Sequence, residues 1–523
     1  MSDSIIDASA LAQDQTLDCD VVIVGTGAGG GFAAEVLSQA GLKVVMLEAG
    51  GYHRTEDFSQ NEGVAFPMLY QQSGAQRTKD QAIAVFQGQT VGGTTVVNWT
   101  SSFRTPPKTL AHWAAVHAVK DADVETMAPY FEAVEQRLNI HEWTEIAPNE
   151  NNAVLQRGCE KLGISWDRMH RNVRGCGNTG LCGLGCPLNA KQSMLITTIP
   201  EALKNGATLI YRARAETISL QGDRAVGVVA HALDARGVEK TGRKLTIKAR
   251  HVVVSAGSIR SPGLLLRSKT PDPSGLTGAR TFLHPVSASM AVMPNRVDGY
   301  QGAPQSIYSD AYMWPDDDRI GFKLETTPLQ PVFALGNFDK SMGASHAALI
   351  KRFTYMHSQV ALLRDGFHPQ AAGGRVELQD VEAYGASEVL DYPLNDYLRD
   401  GFRRSLLAMM EVQFAGGADY VVPWHMQSQP LRSFDAAKAW LDQASFEIGR
   451  MQYGSAHVMG GCAMGEDPKT SVVDSYGAHH QVEGLSVFDG SIFPTSIGAN
   501  PQESVYGFSL RNARKLAASL KGA

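Results

Sequence analysis

Asp20-Val-Val-Ile-Val-Gly25-Thr-Gly27-Ala-Gly-Gly30 is the stretch of sequence that decides the fold class. It joins an apolar, β-branched run, typical of a buried parallel strand, to a G-x-G-x-x-G pattern and a helical segment. The first glycine allows a tight turn, the second admits a pyrophosphate to the backbone, and the third permits close packing of helix on strand. A second apolar run, Lys43-Val-Val-Met-Leu-Glu48, follows. The order strand, turn, helix, strand predicts a doubly wound α/β sheet that binds a dinucleotide.

The second run ends in an acidic residue, which supports the same interpretation. Glu48 lies 18 residues beyond Gly30, where a carboxylate can accept hydrogen bonds from ribose hydroxyls. We assign Glu48 and the adjacent Ala49 to the cofactor site. These features alone do not distinguish NAD from FAD.

Composition is that of an ordinary globular protein of more than one domain. The chain has 523 residues, 43% hydrophobic and 19% charged, and a net charge of −6, which does not favour nucleic acid or an anionic membrane as partner. No apolar run is long enough to predict a membrane span. Residues 1–18 read as a polar, partly mobile arm without the pattern of a secretory signal. We therefore expect a cytoplasmic protein, with export alongside a partner subunit left open.

Three further segments resemble the glucose–methanol–choline oxidoreductase family. They are Gly88-Gln-Thr-Val-Gly92-Gly93-Thr94-Thr95-Val-Val-Asn98, Ser255-Ala256-Gly257-Ser-Ile-Arg-Ser261-Pro262, and Asp489-Gly490-Ser491 followed by Asn500-Pro501. The resemblance implies bound FAD and a Rossmann-like FAD domain beside a substrate domain built on an antiparallel sheet with helices. It also implies cofactor contacts, in addition to Gly25, Gly27, Gly30, Glu48 and Ala49, at Gly92, Gly93, Thr94, Asn98, Trp99, Ala256, Asp489, Gly490 and Pro501.

The same resemblance divides the chain into interleaved segments. We predict that the FAD domain takes residues 1–110, 166–284 (which include a cysteine-rich loop) and 446–523. The substrate domain takes residues 111–165 and 285–445. The C-terminal segment carries the predicted catalytic residues.

Alcohol oxidation requires a group that removes the hydroxyl proton, and histidine has a suitable pKa. His457-Val-Met-Gly460-Gly461-Cys462 resembles the catalytic histidine segment of the family, and Asn500 matches its second active-site position. The resemblance implies that His457 accepts the proton, that Asn500 holds the substrate oxygen and that hydride passes to flavin N5. His284, in Leu-His284-Pro285, is predicted to be structural, and His479 and His480 to be solvated in a polar loop.

A cysteine-rich loop is the main departure from ordinary family members. Cys176, Cys182 and Cys186 lie in Cys176-Gly-Asn-Thr-Gly-Leu-Cys182-Gly-Leu-Gly-Cys186-Pro187, and glycines allow such a loop to wrap a compact cluster. A similar loop in bacterial FAD-dependent sugar dehydrogenases holds a [3Fe-4S] cluster, so the resemblance implies an iron–sulfur cluster here. Zinc and a disulfide are the alternatives, although no clear fourth zinc ligand is nearby. Cys19, Cys159 and Cys462 read as small apolar residues.

Together these features predict an FAD-dependent alcohol dehydrogenase that passes electrons through the cluster to a cytochrome or another redox protein. Val97-Asn98-Trp99 and the residues after it resemble long-chain alcohol oxidases and dehydrogenases, which favours a hydrophobic or aromatic primary alcohol over a sugar. An oxygen-using alcohol or sterol oxidase, a sugar dehydrogenase subunit and a non-catalytic flavoprotein electron carrier stay open as alternatives.

Overall fold

The fold was analysed in a computed structural model that describes residues 4–338, 343–381 and 385–522. The helices α1–α12, in chain order, are Ala28–Gln39, Glu62–Leu69, Pro107–His117, Val124–Leu138, Glu150–Leu162, Thr198–Lys204, Arg260–Arg267, Pro331–Phe338, Ala344–Ile350, Asp396–Ala415, Phe434–Gln443 and Gln502–Gly522. The strands β1–β23 are Ile5–Asp7, Gln15–Val24, Val44–Glu48, Ile83–Val85, Ser101–Ser102, Ile140–Glu142, Asp167–Arg168, His170–Asn172, Thr208–Tyr211, Ala213–Gln221, Arg224–Leu233, Lys240–Val254, Ala279–Phe282, Val286–Val292, Ile307–Tyr308, Phe322–Thr326, Met356–Leu363, Gly374–Val381, Gly385–Asp391, Tyr420–Pro423, Tyr453–Ser455, Met459–Gly460 and Leu485–Val487.

The glycine motif belongs to an eight-stranded sheet in the order β1-β9-β3-β2-β12-β11-β10, with β23 beside β12. Neighbouring strands pair in parallel along the series β1-β9-β3-β2-β12, and β23 also pairs in parallel with β12. Strands β10, β11 and β12 form an antiparallel meander. Val252 and Val254 of β12 pack in one apolar cluster and Val253 in another, because successive side chains point to opposite faces. Both faces are therefore covered, as a parallel sheet requires.

A six-stranded, mainly antiparallel sheet forms the second layer, in the order β16-β17-β14-β21-β4 with β20 beside β14. Helices α5 and α10 pack on one of its faces, through Leu155, Phe402 and Met409 among others. The opposite face turns toward the carboxyl ends of the parallel strands. The predicted fold class, a Rossmann-like domain joined to an antiparallel sheet with helices, is confirmed.

The N-terminal arm was predicted wrongly. Residues Ile5–Asp7 pair in parallel with β9, and β2 begins at Gln15, so that its first half pairs with Leu245–Ala249 of β12. This half of β2 is polar and only partly buried, so its sequence has the composition of a surface segment although its backbone bonds complete the sheet. The prediction that His479 is solvated was also wrong, because its side chain is buried.

No helix in the described ranges combines the length and the hydropathy needed to cross a bilayer.

Candidate active site

A cavity opens at the carboxyl ends of β2, β3 and β12, and its far wall is the free face of the six-stranded sheet. Ligands of open α/β sheets bind at this edge. Gly25 follows β2 with φ +97°, a left-handed conformation that favours glycine. Helix α1 then starts with Gly27 as its N-cap, without a side-chain cap, so backbone N–H groups are available for a phosphate.

The three motif glycines have different surroundings. A methyl group on Gly30 would lie 2.0 Å from the carbonyl oxygen of Gly25, so this glycine serves the packing of helix on turn. A methyl group on Gly27 would meet only Gly93 Cα, at 3.8 Å. Gly25 and Gly27 line the cavity, whereas Gly30 lies behind it.

Glu48, at the end of β3, is held by the same turn. Its carboxylate accepts hydrogen bonds from the backbone N–H of Thr26 (3.2 Å) and Gly50 (2.8 Å) and from the Thr26 hydroxyl (2.7 Å). Burial raises the pKa of Glu48. The Thr26 hydroxyl in turn accepts a bond from the N–H of Gly92 (3.0 Å), so Thr26 ties the glycine turn to the segment after it. Sequence reasoning missed Thr26, although its place inside the motif was a signal.

The other predicted cofactor residues come together around this turn. Gly92, with φ +94°, lies behind the cavity wall. Asp489 accepts bonds from the N–H of Gly257 (2.8 Å) and Ser491 (2.8 Å), which joins the second and third family-like segments. The residues of the prediction that line the cavity are Gly25, Gly27, Glu48, Ala49, Gly93, Thr94, Asn98, Trp99, Ala256, Asp489, Gly490, Asn500, Pro501 and His457.

The cavity has features that fit a polar, flat cofactor. Gln71 and Gln87 line it, and each has a buried side-chain oxygen without a partner in the described part of the chain. Buried polar atoms normally have a hydrogen-bond partner, which a bound ligand or an ordered water can supply here. The open backbone at Gly27 and Gly93 supplies the close approach that a cofactor needs, so the residues present fit FAD.

His457 lies in the cavity in direct contact with another histidine. Its Nδ1 is 3.2 Å from Nδ1 of His284, and His284 is fully buried. Burial, and then the charge of Lys323, lowers the pKa of His457 to about 4. The prediction that His284 serves only a structural turn misses this contact, because 173 residues separate the two rings.

Asn500 is paired with a glutamate that sequence reasoning missed. The Asn500 amide nitrogen donates to Glu325 Oε2 over 3.3 Å, and Gln305 donates to the same oxygen over 2.6 Å. Burial raises the pKa of Glu325 to about 7. Asn500 Oδ1 and Glu325 Oε1 are both buried and have no partner among the residues described. The sequence of β16, Phe322-Lys-Leu-Glu325-Thr, alternates apolar and polar residues as a half-exposed strand does, so it held no signal for Glu325 although all five residues are buried.

Aromatic side chains form another part of the cavity wall. Phe66 stacks on Tyr70 (ring centroids 4.8 Å apart), and Phe333 meets Phe86 edge to face (5.5 Å). Glu62 of α2 holds the wall together, because its carboxylate accepts the N–H groups of Val332 (2.8 Å) and Phe333 (2.7 Å) at the start of α8.

The three loop cysteines line a small second cavity together with Arg171 and Lys191. All six cysteines are free thiols. Within the described ranges no group of three or more His, Cys, Asp and Glu side chains is arranged to hold a metal ion. Gly183, between Cys182 and Leu184, lines the large cavity, and its carbonyl accepts the Tyr70 hydroxyl (2.8 Å). The loop therefore separates the two cavities.

Comparison with known families decides the identity. Two models described as GMC oxidoreductase match residues 66–286 and 369–509. The chain belongs to the GMC oxidoreductase family. A long-chain-alcohol oxidase of Arabidopsis thaliana is 30% identical over 96% of this chain and 68% of its own. An uncharacterized GMC-type oxidoreductase of Sinorhizobium fredii is 28% identical over 96% and 95%.

Solved structures agree with this GMC oxidoreductase fold. Pyridoxine 4-oxidase from Mesorbium loti superposes with a TM-score of 0.70 at 18% identity, over 95% of this chain and 99% of its own. A formate oxidase variant from Aspergillus oryzae gives 0.70 at 15% identity, over 98% and 100%. This GMC oxidoreductase is thus an FAD-dependent enzyme that acts on CH–OH donors.

Proposed function

We propose that this GMC oxidoreductase oxidises a primary alcohol to an aldehyde, with His457 as the proton acceptor. The observation that carries the proposal is a half-buried histidine that lines the cavity and whose pKa is lowered to about 4, so that the ring is neutral at pH 7. A neutral imidazole has a lone pair with which to accept the hydroxyl proton. FAD, when bound, supplies the hydride acceptor.

Asn500 orients the substrate in this proposal. One hydrogen of its amide group is donated to Glu325, and the second is available for the oxygen of the alcohol. We assign the contacts with FAD to the glycine turn, Glu48 and the predicted residues that line the cavity, with Gly30 and Gly92 supporting them from behind.

Replacement of His457 tests the role of the proton acceptor. His457→Gln is expected to retain FAD, because the glycine turn and Glu48 are unchanged, and to slow flavin reduction by alcohol about 10²–10⁴-fold. Rapid mixing with anaerobic alcohol measures that rate. His357→Leu is the control, since His357 is a buried histidine that contacts Asn151 outside the cavity. Near-normal reduction by His457→Gln would contradict the proposal, and no reduction of wild-type flavin by any alcohol would favour a non-catalytic electron carrier.

The aromatic wall supports a hydrophobic or aromatic alcohol as the substrate class. Phe66, Tyr70, Phe86, Phe333 and Trp424 line the cavity, and aromatic surface binds apolar chains through burial. The long-chain-alcohol oxidases among the relatives fit the same class. A panel of long-chain, aromatic and sugar alcohols, compared by kcat/KM, tests it, and preference for sugars would favour the sugar dehydrogenase alternative.

We further propose that Cys176, Cys182 and Cys186 hold an iron–sulfur cluster of the [3Fe-4S] type, which passes electrons to an external redox protein such as a cytochrome. Two buried cations support it. Arg171 and Lys191 line the cysteine cavity, and neither forms an ion pair within the described residues. Arg171 Nη1 has no hydrogen-bond partner there, and Nη2 lies 3.8 Å from Cys182 Sγ. Lys191 donates to three backbone carbonyls, but a nearby negative charge favours buried cations further, and three thiolates and cluster sulfides would supply it.

Metal analysis separates the candidates for this loop. Serine at any of the three positions should remove iron and labile sulfide, leave flavin reduction by alcohol in place and abolish turnover with a one-electron acceptor. Cys19→Ser, outside the loop, should keep the iron, the labile sulfide and turnover with the one-electron acceptor. Zinc, or a disulfide in place of metal, would contradict the cluster.

An oxygen-using oxidase is the second candidate, favoured by the identity with plant long-chain-alcohol oxidases. Stoichiometric hydrogen peroxide from the purified enzyme in air would support it over the dehydrogenase.

A further inference from the structure

We propose that His284 is a positioning residue that fixes the tautomer of His457 and so directs the second ring nitrogen of His457 to the substrate. This inference rests on the proposed role of His457 as proton acceptor. It differs from that role because it concerns a side chain that reaches the substrate only through another ring.

The geometry is a direct contact between like atoms. Nδ1 of His284 lies 3.2 Å from Nδ1 of His457, with the ring centroids 5.5 Å apart. At this distance one nitrogen must carry the hydrogen and the other must accept it. Nε2 of His284 is buried and has no partner in the described part of the chain, so the polar contact of this ring is made to His457.

The backbone around His284 is held firmly in an unusual conformation. Its φ is +49°, in the left-handed region that residues other than glycine rarely adopt. The buried carboxylate of Asp365 accepts the N–H of His284 (3.1 Å) and of Leu283 (3.0 Å), and the Tyr392 hydroxyl donates to it over 2.7 Å. Strain that the surroundings enforce in this way is typical of functional sites.

Burial, and to a smaller extent the charged groups that face the pair, keep both rings neutral. Burial lowers the pKa of His284 well below its usual range, and the neighbouring His457, Lys323 and Arg364 add to the effect. Lys323 is itself bound to Asp310 over 2.8 Å. Two neutral rings in contact share one bridging proton, so only two tautomers are possible for the pair.

One tautomer supports the reaction. If Nδ1 of His457 donates to His284, Nε2 of His457 is left with a lone pair. The O–H bond of the alcohol then breaks, an N–H bond forms at Nε2, and the bond to His284 becomes charge-assisted. In the opposite tautomer Nε2 already carries a hydrogen and cannot accept another. His284 thus acts as the acceptor that keeps hydrogen on Nδ1 of His457, the nitrogen that faces away from the substrate.

Two substitutions at His284 distinguish an acceptor from a space-filling ring. His284→Leu removes the acceptor, and we expect flavin reduction by alcohol to fall about a hundredfold while FAD content stays normal. His284→Asn returns an oxygen near the position of Nδ1 and should restore the rate to within about tenfold of wild type. Rates of His284→Leu and wild type that are equal, or no rescue by asparagine, would overturn the inference.

Nitrogen-15 NMR of histidine-labelled holoenzyme gives a measurement that does not depend on turnover or on the folding of a variant. We expect His457 in the wild type to carry its hydrogen on Nδ1, and to lose this preference in His284→Leu. Hydrogen on Nε2 of wild-type His457 would overturn the inference. Fast reduction by His457→Gln, with the tautomer still as expected, would instead refute the proton-acceptor role and leave the pair intact.

Discussion

Glu325 titrates in a range where the two contacting histidines do not. Its pKa is raised to about 7 by burial, against which Lys323 and the bonds from Asn500 and Gln305 act, whereas the pKa of His457 is about 4. Near neutral pH the change of charge in the cavity therefore belongs to Glu325. An ionised carboxylate beside Asn500 increases the proton affinity of His457 and favours departure of the hydroxyl proton.

We expect flavin reduction to become about tenfold faster as pH rises through 7, where Glu325 ionises; a tenfold change in rate corresponds to about 1.4 kcal/mol. Glu325→Gln keeps the hydrogen bonds from Asn500 and Gln305 but cannot ionise, so its pH profile should be flat there. Rapid-mixing rates across this range make the comparison. An inflection near pH 7 that survives in Glu325→Gln would assign it to another group.

The same shift has a consequence for stability. Because the pKa of Glu325 in the folded protein lies above its ordinary value of 4.5, the folded state holds the proton more tightly than the unfolded state does. The free energy of unfolding should fall as pH rises from 4.5 to about 7 and then level off. Glu325→Gln should lack this fall, which denaturant titration at several pH values measures.

The arrangement of site residues that lie near one another in the sequence could be predicted, whereas contacts between distant residues could not. The glycine turn and Glu48 share one strand-turn-helix-strand unit, so spacing alone indicates their arrangement. His284 and His457 meet because β13 pairs with β22 and β14 pairs with β21. Glu325 meets Asn500 across 175 residues. Such contacts depend on how the layers pack, which single-sequence patterns do not encode. The family resemblance supplied Asn500, but it gave no indication of Glu325.

At the scale of elements, the turn between β2 and α1 has one glycine that the packing of the fold requires, Gly30, and one that leaves room for the cofactor, Gly27. Gly30→Ala would force a methyl group to within 2.0 Å of the Gly25 carbonyl, whereas Gly27→Ala meets only a carbon at 3.8 Å. Two identical substitutions, three residues apart, therefore act on different properties.

We expect Gly30→Ala to destabilise the apoprotein by about 3 kcal/mol, at the upper end of overpacking costs. Gly27→Ala should leave the apoprotein melting temperature unchanged and weaken FAD binding at least about tenfold, because its methyl group occupies the approach to the backbone. Thermal melts and flavin titration of both variants provide the test. Equal loss of stability in the two would show that the turn tolerates no side chain at either position.

At the scale of the whole molecule, the cavity is assembled from all parts of the chain. Its lining runs from Val24 to Val505 and includes both sheets. A ligand bound there contacts segments that must all be folded at once. The protein should therefore unfold in a single transition, and FAD at one hundred times its Kd should stabilise the folded state by about 2.7 kcal/mol.

Calorimetry with and without added FAD measures this stabilisation. Gly27→Ala should show a smaller shift at the same FAD concentration. Two separate transitions, with only one of them responding to FAD, would mean that the sheets unfold independently.

The position of β23 and α12 determines when the enzyme can mature. Strand β23 pairs with β12 although 230 residues separate Val254 from Leu485, and α12 packs across α1 through Phe32 and Tyr506. The glycine turn precedes β23 and α12 in the chain, so its sheet stays incomplete until residues 485–522 have been synthesised. A nascent chain therefore carries a half-built nucleotide site throughout translation. We therefore expect cofactor loading to be a late step, because β12 gains its last partner strand only when β23 pairs with it.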